Sequence, residues 1–130
     1  MVVTILEIQN RGGRTVCRFE AAEGEAWCYW SGDPPEVGRR YQVEVGVERI
    51  TPITRFKDDA EQLEELIDIT KPGGQPSWIV SGRVERVDDI YMALVFGGLQ
   101  IGLGPDEEWA SDGERVVVRC EGCTLYDCNF

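Results

Sequence analysis

Cysteines are the residues of this chain with the most evident capacity for chemistry. Cys120 and Cys123 are separated by Glu-Gly, and Cys128 follows close behind. Thiolates at such spacing bind zinc, and the intervening glycine permits the tight turn of a zinc knuckle. Cys17 or Cys28 would supply a fourth ligand. The candidate metal site is therefore Cys120, Cys123 and Cys128.

The same cysteines also have simpler interpretations. A structural zinc site usually has two paired knuckles, whereas Cys17 and Cys28 stand singly inside predicted strands. If the first hairpin turns at Ala22-Glu23, these two face each other as a thiol pair or a disulfide. In a regular strand Cys120 and Cys123 would point to opposite faces, and a redox CxxC motif should open a helix. We therefore expect inert packing of thiols and no cofactor.

Catalytic groups are scarce. The chain has no histidine, which removes the most frequent general base and every Ser/His or Cys/His nucleophile pair. Its lysines are Lys57 and Lys71, at the two ends of a predicted helix. Acids are plentiful, but no pattern singles out a catalytic pair, and no phosphate-binding glycine motif is present. The sequence predicts a protein that is not an enzyme.

Aromatic residues gather in one predicted strand. Trp27, Tyr29 and Trp30 lie close together there, and Trp78, Tyr91 and Trp109 are spread over the rest of the chain. We expect several of these rings to pack in the core. Trp30 and Trp109 stand beside acidic loops, and tryptophan is enriched at protein interfaces. These two are therefore predicted to anchor a partner.

The secondary structure must position these residues. One helix is predicted, from Lys57 to Pro72. Ala60, Leu63, Leu66 and Ile67 gather on one side at helical spacing, and acids gather on the other. Asp58 suits the N-cap, and the terminal proline suits the stop. The outward face would be an acid stripe without a basic residue. Such a face either keeps the protein soluble or binds a basic partner.

The remaining chain is predicted to be β-rich and to form a single domain, 1–130. Halves 1–56 and 77–130 share an order of strand, hairpin, acidic Gly/Pro loop and alternating strand, and 57–76 joins them as helix and linker. The strongest hairpin signal is Gly97-Gly98, which would pair Phe96 with Leu99. The predicted fold is mainly β with one α-helix, an OB-like or Greek-key barrel. Two tandem small β-barrels or a β-sandwich are the alternatives.

Charge and composition bound the function. Twenty-four acids against 13 bases give a net charge of −11, which argues against a protein that binds nucleic-acid phosphates over an extended surface. Base-stacking aromatics on an OB-like barrel need a cationic groove, and only a local basic character exists, at Arg11, Arg14, Arg18, Arg39 and Arg40. No apolar run is long enough for a bilayer, and MVVTILEIQN lacks the features of an export signal. We expect a cytoplasmic protein without a membrane segment.

The predicted function is that of a small acidic binding protein that engages a basic protein partner, for example an immunity or inhibitor protein of a nuclease toxin. An OB-like ligand or nucleic-acid binding module and a homodimeric structural subunit are the alternatives. Beside Trp30 and Trp109, the predicted partner-binding residues are the acids of the helix and of a later loop: Asp58, Glu61, Glu64, Glu65, Asp68, Asp106, Glu107 and Glu108.

Overall fold

The computed structural model describes residues 2–56, 65–89, 91–104 and 107–128. Its elements are β1 (Val2–Arg11), β2 (Arg14–Ala21), β3 (Gly24–Ser31), β4 (Arg40–Gly46), β5 (Arg49–Phe56), β6 (Glu65–Asp68), β7 (Ser77–Arg86), β8 (Met92–Phe96), β9 (Leu99–Leu103), β10 (Arg115–Glu121) and β11 (Thr124–Asp127). The prediction of a mainly β protein is confirmed. The described part of the chain contains no helix long and apolar enough to cross a membrane.

The strands form a closed barrel and a second sheet. The barrel has the order β1-β2-β3-β11-β4, and β4 pairs with β1 to close it. The second sheet has the order β5-β10-β7-β8-β9, with β6 beside β7. Every neighbouring pair is antiparallel except β3 and β11, which are parallel. The prediction of a barrel is confirmed, and the second sheet is an addition to it.

The predicted helix is wrong in the part of it that the structure describes. Glu65–Asp68 is strand β6, and its Leu66 pairs with Val80 of β7. Leu66 is buried, at 6% exposure, and its amide donates a hydrogen bond to the carbonyl of Glu23. Pairing with β7 and with the β2–β3 turn satisfies this backbone, and such tertiary contacts override a helical hydrophobic pattern. Residues 57–64 of the predicted helix lie outside the described residues.

Two predicted hairpins are confirmed. Gly97-Gly98 connects β8 to β9, with Phe96 opposite Leu99 as expected. The β2–β3 hairpin turns at Ala22-Glu23, and Cys17 faces Cys28 across it. Both cysteines are free thiols with 0% exposure, so they form a buried pair.

In each half of the chain, the last strand belongs to the sheet that the other half mainly forms. Strands β1 to β4 belong to the barrel, but β5 lies at the edge of the second sheet. Strands β7 to β10 belong to the second sheet, but β11 lies in the barrel between β3 and β4. The sequence pattern of two similar halves does not reveal this exchange, because the pattern states strand order and not strand partners.

One hydrophobic cluster extends over both sheets. The ring of Phe19 in β2 packs edge-to-face against Trp78 of β7, with 5.6 Å between ring centroids. Trp78 is fully buried, and its Nε1–H donates to the carbonyl of Trp27 at 2.7 Å. A buried indole needs such a partner, and here the bond also ties the second sheet to strand β3.

Gly24 gives a test of the contact between β6 and the β2–β3 turn. Its φ is +152°, and a Cβ built there would lie 2.5 Å from the carbonyl oxygen of Leu66. We predict that Gly24→Ala lowers the free energy of unfolding by about 2–3 kcal/mol, because backbone strain and a clash with rigid backbone combine. The measurement is urea unfolding followed by far-ultraviolet circular dichroism.

Gly113 is the matched control, since its φ is +81° but a Cβ there meets nothing within 4 Å. Gly113→Ala should cost about 1 kcal/mol, from backbone strain alone. Equal losses in the two variants would contradict the close approach of β6 to Gly24.

Candidate ligand-binding face

The turn between β1 and β2 brings two arginines opposite each other. Gly12 and Gly13 have φ values of +59° and +80°, and consecutive positive φ angles are what a two-residue hairpin turn of type I′ requires. Arg11 and Arg14 are consequently register partners. The turn itself is exposed, so both guanidinium groups stand at an accessible end of the hairpin.

Strand β3 presents two aromatic rings on the outer side of the barrel. Ala26, Cys28 and Trp30 are buried, whereas Trp27 and Tyr29 between them are half-buried. Alternate residues of a strand point to opposite faces, so the two half-buried rings share the outer side. Trp27 is the register partner of Arg18. Residues 26–30 therefore contribute side chains both to the core and to the outer side of the barrel.

Each outer ring is covered by a guanidinium group. The Cζ atom of Arg14 lies 3.5 Å from the ring centroid of Tyr29, and that of Arg11 lies 5.6 Å from the ring centroid of Trp27. Each cation–π contact stabilises by about 0.5–1 kcal/mol at an exposed site. We call Arg11, Arg14, Trp27 and Tyr29 the ligand face.

The arginines near this face differ in how far their charge is compensated. Arg18 contacts the carboxylates of Glu25 and Glu7, and the hydrogen bond with Glu25 raises the pKa of Arg18. Arg11 donates to the side-chain oxygen of Gln9 at 3.1 Å and to the carbonyl of Gly74 at 3.4 Å. Within the described residues neither Arg11 nor Arg14 forms an ion pair. Two positive charges without a carboxylate partner among the described residues therefore stand on this face.

The thiol pair Cys17 and Cys28 lies in the two strands that carry this face. A hydrogen bond with Cys28 lowers the pKa of Cys17, and burial raises the pKa of Cys28. With both side chains at 0% exposure, their role is to fill the barrel interior beneath the face.

The three candidate zinc ligands do not converge on one point. Burial raises the pKa of Cys120 to about 12 and raises the pKa of Cys123 as well, which holds both as neutral thiols. Cys123 donates to the carbonyl of Cys120 at 3.5 Å, and Cys128 is partly exposed and donates to the carbonyl of Tyr126. No group of three Cys, Asp or Glu side chains in the described ranges is arranged to hold a metal ion.

The predicted acidic residues that the structure describes do not form one stripe. Glu65 and Asp68 lie in β6, where an odd spacing places them on opposite faces of the strand. Asp68 accepts hydrogen bonds from the amide and hydroxyl of Thr70. Glu107 accepts a bond from the indole of Trp109, and Glu108 is exposed in the same turn. Asp58, Glu61, Glu64 and Asp106 lie outside the described residues.

The two predicted anchor residues have different surroundings. Trp30 is only 5% exposed, packs edge-to-face on Tyr41, and donates its Nε1–H to the carbonyl of Asp33 at 2.9 Å. This position inside the barrel does not offer the ring to a partner. Trp109 is half-buried against the core, with its Nε1 2.6 Å from the Glu107 carboxylate.

The sequence interpretation missed Trp27 and Tyr29 as surface rings and did not connect them with Arg11 and Arg14. The available signal was the alternation in Gly24–Ser31, where a small residue and a cysteine take turns with aromatic residues. A second signal was the Arg-Gly-Gly-Arg turn. Neither signal gives the distance between them, which depends on the pairing of β1, β2 and β3.

Comparisons of the chain with protein-family models, with curated proteins and with solved structures yield no match. The function must therefore be inferred from the geometry of the molecule.

Proposed function

We propose that this protein is a non-catalytic OB-like module that binds single-stranded nucleic acid through its ligand face. The observation that carries the proposal is the guanidinium group of Arg14, which lies 3.5 Å over the ring of Tyr29 and has no carboxylate partner among the described residues. A base that stacks on this ring takes the place of the guanidinium group, which then binds the phosphate of the nucleotide.

The strand order supports the choice of module. A five-stranded barrel in which the first three strands form a meander and the last strand lies parallel to the third has the arrangement of an OB-fold barrel. Such barrels bind ligands on the face of strands 2 and 3 and on the loop between strands 1 and 2. Here those elements are β2, β3 and the Gly12-Gly13 turn, which together carry the ligand face.

The energetics favour a stacking-dominated mode. The net charge of −11 opposes phosphate binding, but exposed charges farther away than about 8–10 Å are largely screened at physiological salt. Stacking of a base on an aromatic ring contributes roughly 1–3 kcal/mol and does not depend on the net charge. Arg11 and Arg14 then neutralise the phosphates that pass over Trp27 and Tyr29. The proposal therefore predicts modest affinity with little sequence preference.

The capture of a basic protein partner is the second candidate. Asp112 accepts a hydrogen bond from the amide of Arg86, which brings its loop beside the exposed acids at the end of β7, Glu85, Asp88 and Asp89. Many like charges in one region attract a cationic partner and accelerate its association. Reversing charge at Glu108 and Asp112 would lower capture of such a partner without weakening oligonucleotide binding. That difference separates the two candidates.

Fluorescence anisotropy with a labelled oligothymidylate tests the proposed function. We predict that Tyr29→Ala weakens binding roughly 5- to 150-fold, the equivalent of one lost stacking contact of about 1–3 kcal/mol. Arg14→Ala should also weaken binding, and the loss should shrink as salt rises, because it removes a phosphate contact.

The matched controls are an exposed tyrosine and an exposed arginine placed elsewhere, Tyr91→Ala and Arg40→Ala. Both should leave the affinity unchanged. Binding that is absent in the wild type, or that all four variants reduce equally, would contradict the ligand face.

A further inference from the structure

We propose that a bound single strand does not end at the ligand face but continues over the turn 71–74 onto the second sheet, where Lys71 and Arg119 hold its phosphates. This inference rests on the proposed function. It extends the site from one strand hairpin to a path that crosses the boundary between the barrel and the second sheet.

The first step of the path is a direct contact between the face and the turn. Arg11, which covers Trp27, donates from its Nη1 to the carbonyl of Gly74 at 3.4 Å. The amide of Gly74 in turn donates to the carbonyl of Lys71 at 2.8 Å. The backbone of Lys71 therefore lies one tight turn away from the guanidinium group of Arg11, and its side chain is exposed.

The second step is a shared cavity. A cavity of about 210 Å³ is lined by Lys71, Gln75 and, from strand β10, Arg119 and Glu121. Arg119 is exposed on the second sheet, and Lys71 belongs to the connection between β6 and β7. Arg11 and Arg14 of the β1–β2 hairpin, Lys71 and Arg119 thus come from three segments of the chain. Contacts or a common cavity link Arg11, Lys71 and Arg119.

Glu121 determines how strongly Arg119, at the end of this path, can bind a phosphate. Its carboxylate lies 3.3 Å from Nε of Arg119 and accepts a bond from the side-chain amide of Gln75 at 3.3 Å. Arg119 is exposed and Glu121 is half-buried, and an ion pair at the surface is weak enough for a phosphate to replace. Neutralising Glu121 would therefore release the charge of Arg119 for nucleic acid.

The test compares short and long oligothymidylates, of about 4 and about 12 nucleotides, which span the site sizes of OB-like modules. For the longer strand, each phosphate contact contributes roughly −0.7 to the slope of log affinity against log salt. We predict that Lys71→Ala reduces this slope by about 0.7 and weakens binding of the longer strand, while binding of the shorter strand is unchanged. The difference between variant and wild type cancels the contribution of the remaining charges.

Two further variants complete the experiment. Glu121→Gln should tighten binding of the longer strand, and Arg40→Ala, at an exposed arginine outside the path, should change neither slope nor affinity. If Tyr29→Ala weakens both strands but Lys71→Ala and Glu121→Gln change neither, the ligand face is correct and the extended path is overturned. If the wild type binds neither strand, both the path and the proposed function are overturned.

Discussion

The structure depends on two long antiparallel segments that pass side by side from one sheet into the other. Thr124 pairs with Gly46 in the barrel, and Glu121 pairs with Arg49 in the second sheet. The two-residue links 47–48 and 122–123 are equal in length, and Glu48 donates its amide to the carbonyl of Glu121 between them. The register of β4 with β11 is therefore the same as that of β5 with β10 next to the links, up to the shift between Val117 and Val118. A slip of one residue would turn buried side chains outward in both sheets at once, which makes this register strongly specified.

The geometry of the ligand face depends on these two antiparallel segments. Strand β3 has β2 on one side, and on the other side the amide of Tyr29 donates to the carbonyl of Cys123, in the link that precedes β11. Strand β11 therefore completes the barrel, and the backbone of Tyr29 is held by a residue almost a hundred positions away. The indole of Trp78 fixes the neighbouring Trp27 through its carbonyl in the same way. Because the strand that carries both rings is held in this way, the proposed binding of a planar ligand requires movement of the covering guanidinium groups and little reordering of the backbone.

Local signals predicted local structure. The two-residue turns of β2–β3 and β8–β9 and the facing cysteines follow from turn chemistry and period-2 alternation, and both were predictable from the sequence. The pattern of Leu66 and Ile67 fits a helix face and equally fits a strand whose Leu66 is buried, and only pairing with β7 decides between them. Trp30 was predicted as a surface anchor because acidic residues follow it, but alternation along β3 turns it inward. The exchange of β5 and β11 leaves no local signal, because it is a choice between distant partners.

The proposed function requires that a nucleic acid strand contacts the outer side of β3 and not the acidic loops. The four tryptophans allow a direct measurement, because each indole N–H gives a separate signal in a nitrogen-15 NMR spectrum. During titration with an oligothymidylate, we predict the largest shift for Trp27. The signals of Trp30 and Trp109 should not move, because their indoles bond to the carbonyl of Asp33 and to Glu107. An unmoved Trp27 signal at saturating ligand, or a larger shift at Trp109, would contradict the proposed function.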